Sequence, residues 1–330
     1  LELSCLLLLQ RIVVKVSGQS SCLVTVYTLN NKYMFIVNNR KFFFTLSGLL
    51  VVGSIVAIVM FGFNFGIDFK GGSILEVSYA TTRPASETIK SELDTLGLGT
   101  YILTPSGDLN YILKTRDITP TEKVVVMSAF QKDQTNPAKE EKFNSLGPVV
   151  GKQLKNKAMV AIALVALAIV LFVTFAFRKV SHPVASWKYG LATIIALAHD
   201  VIIPTGVFVT WIHFHGGEID LLFVTALLAI LGYSVHDTIV VFDRVREHLK
   251  TGNTKVSFTE TVGDSVSQTM ARSINTSVTI FIALASLYFL GGESTRDFAF
   301  VLLVGVIAGT YSSIFVASPL LVTLKNLQDK

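Results

Sequence analysis

The sequence predicts a membrane all-α bundle of six spanning helices, with a single α+β domain held outside the membrane between the first and the second. Three observations point there. Only 15% of the 330 residues are charged and 51% are hydrophobic, against about 25% charged in soluble domains. Six runs stay apolar over roughly the 20 residues a helix needs to cross hydrocarbon. One long segment, 64–157, is polar enough to fold in water. The net charge of +5 does not call for nucleic acid. No basic patch is interleaved with aromatics, and the cations gather where they fix membrane topology.

Residues 1–33 read as a leader foreign to the fold. Their apolar run is broken by Arg11 and Lys15, and they lack the order of a secretory signal. Cys5 and Cys22 both fall there and suggest neither a disulfide framework nor a metal box. Met34 opens "MFIVNNRKFFF", a basic flank leading into a span, and reads as the natural start. Residues 34–63 then form an inner N-terminus and the first span, whose uncharged run is 42–63. The other spans are expected at 158–177, 189–211, 221–242, 273–290 and 298–324, within a membrane region 158–330. Arg40, Lys41, Arg178, Lys179, Lys188, Arg244, Arg246, Lys250, Lys255, Arg272, Lys325 and Lys330 all fall on one side, and the short loops opposite hold a single arginine. By the positive-inside rule both termini are cytoplasmic.

Within 64–157, "SILEVSY" alternates as a strand does. "RPASETIKSELDTLG" opens on Pro and closes on Gly, as helices do. "GTYILTPSGDLNYILKT" reads as two strands joined by a "PSGD" turn. "TPTEKVVVMSAFQKD" reads as a second helix and "EKFNSLG" as a last strand. The order β-α-β-β-α-β describes a small ferredoxin-like domain.

Ionisable groups at membrane depth mark function, because hydrocarbon penalises them and they face a protein interior or a wet cavity. "GYSVHDTIVVFDR" places Tyr233, His236 and Asp237 before the fourth span ends. Tyr233 and Asp237 are i,i+4 neighbours. Asp237 lies six residues inside Asp243, about 9 Å at helical rise. In "SQTMARSINTSVT", Gln268, Arg272, Asn275, Thr276 and Thr279 share one face of the fifth span. Arg272 enters from the same side as Asp237, so an Asp–Arg pair on neighbouring helices is expected. It serves either as a static salt bridge or as a site that takes up and releases a proton as the partners separate. "LAHDVIIP" adds His199 and Asp200, which read equally as structural hydrogen bonding or as a relay. His213 and His215 read as members of an ordinary outer loop. Gly305, Gly309, Ser313 and Ala317 recur every four residues and read as a packing stripe. Gly71 and Gly72 permit a tight reversal after the first span.

Three stretches, "FGIDFKGGSILEV", "GYSVHDTIVVFDRVREHL" and "SQTMARSINTS", in this order and topology, resemble the signature stretches of the SecF family. The resemblance covers the chain from Met34 onward. That family works with SecD beside the Sec channel and belongs with the resistance-nodulation-division transporters. The resemblance implies a bacterial inner-membrane subunit that uses the proton-motive force to promote export of unfolded polypeptide. Its partners would be a SecD-like subunit, a SecYEG-type Sec channel and membrane lipid, and it would need no organic cofactor or metal and no enzymatic chemistry. Asp237 and Arg272 correspond to the family's proton-linked residues; His236, Tyr233, Asp200 and Gln268 read either as relay residues or as neighbours that support the pair. Asp68, Phe69, Gly71 and Gly72 match the motif where the first helix meets the external domain. His236 stands where the family usually has Asn. A small-molecule exporter of the same superfamily would share the relay, but in a longer chain with larger external domains. An intramembrane metalloenzyme using His199, Asp200, His236 and Asp237 lacks recognisable zinc-ligand spacing.

Overall fold

The computed structural model describes residues 35–131, 136–178, 184–251 and 256–328. The leader 1–33, the start assigned to Met34, and Lys179, Lys255 and Lys330 lie outside them. The first apolar run forms α1 (Arg40–Phe61), followed by a single turn, α2 (Ile67–Lys70). Then come β1 (Gly72–Ser78), α3 (Ser86–Asp94), β2 (Ile102–Ser106), β3 (Asn110–Thr115), α4 (Pro120–Phe130) and β4 (Lys139–Leu146). The strands form one antiparallel sheet in the order β2-β3-β1-β4. Period-2 alternation turns Leu75 and Val77 of β1 and Tyr111 and Leu113 of β3 to one face. There they meet Ile89 and Leu93 of α3 and Val126 and Phe130 of α4.

The expected "PSGD" turn falls two residues later. Pro105 and Ser106 stay in β2, and the turn occupies 107–109 with Gly107 at φ 57°. Proline is tolerated there because β2 is an edge strand and one side of its backbone needs no donor.

Helix α4 starts at a capping box, in which Thr119 Oγ1 accepts from Glu122 N and the Glu122 carboxylate accepts from Thr119 N. The hydrogen bond from Arg116, then those from Thr119, hold Glu122 down at about 2. A carboxylate lowered on folding stabilises the native state above its ordinary value of 4.5, and the contribution is lost as pH falls through about 2. Thr119→Ala should loosen the first turn of α4 by about 1 kcal/mol. Amide exchange over 121–123 in the full chain reads it, and unchanged exchange would show that the cap is idle.

Helix α5 (Pro148–Ala176) begins well before its apolar run, because Pro148 sits at the first helical position, where no N–H is needed. It is followed by α6 (Ser186–His215), α7 (Leu221–Thr251) and α8 (Phe258–Leu290). α7 and α8 also overrun their apolar stretches. Past those stretches they share one buried cluster through Val245, Val262 and Val266. His213 and His215 belong to the last turn of α6 rather than to a loop, stacked on Phe61 and Trp211. The sixth span is not one regular helix. It runs as α9 (Glu293–Ser312), a π-helical turn (Ser313–Ala317) and α10 (Ser318–Gln328). Pro319 cannot donate within a regular helix, and the Ser318 hydroxyl donates to Ser313 O inside the widened turn.

Among the described residues, six helices are long and apolar enough to cross a membrane. α6 is enclosed over most of its length, whereas α1, α5 and α8 are peripheral. Small residues set the close contacts. A Cβ added to Gly206 would collide with Ser54 Cβ of α1, and one on Gly305 would collide with Ile230 of α7. The uncovered faces differ in chemistry. On α5 the uncovered residues from Met159 to Phe175 are all apolar, while α8 leaves Arg272, Asn275 and Thr279 uncovered.

Candidate functional site in the helix bundle

Asp237 projects from α7 into the bundle and is 3% exposed. Its neighbours on the facing helix are Ser273 and Arg272, and together with His236 they are the groups that act electrostatically on the carboxylate. Asp237 Oδ2 and Ser273 Oγ are both buried and form no hydrogen bond of ordinary geometry, although the Ser273 hydroxyl stands near enough to act on the carboxylate. At this depth an ionisable carboxylate is costly to bury. The expected contact between Asp237 and Arg272 is not formed. Arg272 lies on the uncovered face of α8, one residue along from buried Ser273, and acts on Asp237 only at longer range. The rotation of α8 about its axis decides this, since consecutive helical positions point about 100° apart.

One turn earlier along α7, hydroxyls bridge three helices. Tyr233 Oη lies 2.7 Å from Ser277 Oγ, which in turn lies 2.6 Å from Thr310 Oγ1 of α9. Tyr233 thus stands on the same stripe as Asp237, as its i,i+4 spacing suggested. His236 points away from the bundle and is exposed. Gln268 is not near the acid. Its Oε1 accepts from Arg244 Nε at 2.6 Å and from Arg244 Nη2, and Arg244 also pairs with Glu247 at 2.5 Å. Gln268 thus clamps Arg244, one turn before Arg272 and where α7 and α8 have left their apolar stretches.

Asp200 is the most fully engaged acid. It is wholly buried on α6, with Oδ1 at 2.8 Å from His199 Nδ1. Its Oδ2 accepts from Ser312 Oγ at 2.7 Å and from Ser234 Oγ. His199 stacks on Tyr311, and its Nε2 is buried without a partner. Sequence reasoning passed over Ser234, Ser273, Ser277, Thr310 and Ser312. Their signal was hydroxyls at i,i+4 spacing on otherwise apolar helices, here Ser273 and Ser277. The four residues of the metalloenzyme arrangement do not converge, since His236 is exposed while His199 and Asp200 are buried. Among the described residues no three His, Cys, Asp or Glu side chains gather as a metal site.

The motif after α1 forms a joint. Gly71 and Gly72 have φ of 82° and 150°. A Cβ on Gly71 would lie 2.6 Å from Pro148 Cα, and one on Gly72 would lie 2.6 Å from Thr115 O. Phe69 is buried beside Gly151 near the start of α5, in an apolar cluster that residues of α6 and α7 complete, and Asp68 Oδ2 accepts from Leu221 N at the start of α7. Phe65 and Ile219 form a parallel bridge, and Lys114 of β3 pairs with Glu218 at 2.8 Å. The sheet is thereby fastened to the loop between α6 and α7. Burial there holds Asp220 above the ordinary carboxylate range; Asp68 and Asp297 add to the effect, while Phe223 N and Lys114 oppose it.

This combination defines a class: a multi-spanning membrane protein with acids buried in its helix bundle and a small α/β domain jointed to it. Comparison with known proteins narrows the class. The family description "Protein export membrane protein SecD/SecF, C-terminal" matches residues 125–327, and the "SecD/SecF GG Motif" matches residues 56–82. The protein translocase subunit SecF of Thermobaculum terrenum is 40% identical over 306 residues, 88% of this chain and 94% of that one. That of Desulfurispirillum indicum is 37% identical over 319 residues, 90% and 96% of the two chains. The crystal structure of SecDF from Thermus thermophilus, described as a translocon-associated membrane protein, superposes with a TM-score of 0.74 at 32% identity. It covers 88% of this chain, which spans only 38% of that longer one. The chain belongs to the SecF family.

Proposed function

We propose that this protein is a Sec export subunit of the bacterial inner membrane that converts inward proton flow through the Asp237 region into movement of its outer domain. The observation that carries the proposal is Asp237 itself, a carboxylate buried at membrane depth beside Ser273 and within electrostatic reach of an uncovered arginine. Protonation neutralises the acid, and release restores its attraction to Arg272. A membrane potential contributes about 2.3 kcal/mol per proton per 100 mV, enough to bias an element whose states differ by a few kcal/mol. The proton is the coupling ion, with no organic cofactor, metal or enzymatic step in the scheme.

Residues 64–157 form the outer domain, with both termini cytoplasmic. Its sheet order, with each crossover helix packed on one face, supports the ferredoxin-like assignment. The joint at Asp68, Phe69, Gly71 and Gly72 carries motion from bundle to domain. The polar uncovered face of α8 calls for a polar neighbour at membrane depth, as lipid cannot satisfy Arg272. A SecD-like subunit supplies that face, and the Sec channel and the unfolded exported polypeptide complete the assembly. The SecDF chain from Thermus thermophilus, of which this chain spans 38%, supports that division of labour.

The test is export of an unfolded polypeptide in inner-membrane vesicles carrying this protein, its SecD-like partner and the Sec channel. Imposing an inward-directed proton gradient should speed export, and collapsing it should remove the gain. Export indifferent to the gradient, or co-purification with a small-molecule efflux partner instead of the channel, would overturn the reading.

A further inference from the structure

Among the described residues, Asp200 has no counter-charge except through its own neighbour. Its oxygens meet His199 Nδ1, Ser234 Oγ and Ser312 Oγ, and no described lysine or arginine acts on it. The other titratable groups near it are Tyr311, stacked on the His199 ring, and Asp237, one turn along α7 from Ser234. An ionised aspartate beside a neutral histidine would leave a net negative charge in the driest part of the bundle, and burying an uncompensated charge is strongly unfavourable. One proton shared by the pair removes it, whether it resides on the carboxylate or on the imidazole.

We infer that His199 and Asp200 form a second proton-binding site, distinct from Asp237, which holds one proton in the conformation seen here. The bonds around it suit that role. His199 Nδ1 faces the acid and Nε2 has no partner, so Nε2 is the atom at which a proton can be exchanged without breaking another protein hydrogen bond. Ser312 reports the state of the pair to the sixth span. It is the last residue of α9 before the π-helical turn, and it divides its hydroxyl between Asp200 Oδ2 and Gly309 O at 3.1 Å. The residue two positions earlier, Thr310, belongs to the hydroxyl bridge with Tyr233 and Ser277. A single turn of α9 therefore touches both acids' neighbourhoods, and π-helical turns concentrate at functional sites. The pair's part in driving export rests on the Asp237 reading above, but its capacity to hold a proton does not.

Infrared and histidine ¹⁵N spectra of the full chain reconstituted in lipid bilayers test this. The unsubstituted protein at neutral pH should show either a protonated-carboxyl C=O band or an imidazolium signal that survives Asp237→Asn. It should be lost in Asp200→Asn, and its titration midpoint should move in His199→Gln. An ionised carboxylate beside a neutral imidazole throughout the neutral range in the unsubstituted protein would overturn the inference, as would a proton signal lost only in Asp237→Asn. Because absence of the signal from the unsubstituted protein overturns the inference without any variant, a variant that fails to insert does not spare the proposal. Failure of Asp237→Asn to impair export would count against the proposed function and leave this spectroscopic result standing.

Discussion

Asp237→Asn should abolish the proton-dependent part of export while the protein still inserts and binds its partner. Asparagine keeps the size and planar shape of the side chain, so packing between α7 and α8 survives. It cannot take up a proton, so the alternation between a neutral and a charged group facing Arg272 disappears. The substitution also removes an ionisable group from membrane depth, which favours insertion. Loss of export therefore cannot be ascribed to a misassembled bundle if partner co-purification is retained. The measurement is the ratio of export rates with and without an imposed proton gradient, which should fall to about one. A variant that keeps the full response would remove Asp237 from the path.

Gly71→Ala should be the most damaging single methyl in the joint. Gly71 has φ 82° and ψ 155°, a region open essentially to glycine alone, where a side chain costs about 1–3 kcal/mol. The new Cβ would also stand 2.6 Å from Pro148 Cα and 2.7 Å from Pro148 N. Those are backbone atoms at the rigid start of α5, so no side chain can swing aside, and overpacking of this kind adds about 1–3 kcal/mol. The control is Gly53→Ala in α1, where nothing lies within 4 Å of the added carbon. Thermal unfolding in detergent should drop sharply for the first and stay flat for the second. Equal transitions would mean that the joint yields and does not couple domain to bundle.

The long elements were legible in the sequence because hydropathy and strand alternation are local. Apolar runs became spanning helices, and "SILEVSY" and "NYILKT" became the central strands. Their ends were less legible. Helical hydrogen bonding does not stop at the edge of hydrocarbon, so α5, α7 and α8 run into water. Pro105 resembled a turn residue but was absorbed by an edge strand. The candidate site was legible residue by residue and not as a set of contacts. Asp237, Tyr233 and Asp200 announced themselves as polar groups in apolar runs. Their partners did not, since the Ser312–Asp200 hydrogen bond joins positions 112 residues apart.

What the sequence determined alone is that this chain crosses a membrane repeatedly, carries one small α/β segment between its first two spans, and places acids within its apolar runs. Those facts follow from composition and spacing along the chain. Only the tertiary structure decided that Arg272 faces outward, that Gln268 serves Arg244, and that His199 and Asp200 share a closed pocket of hydroxyls. Such contacts depend on how each helix is rotated about its axis and on which helix stands beside it. Packing across the whole bundle sets both.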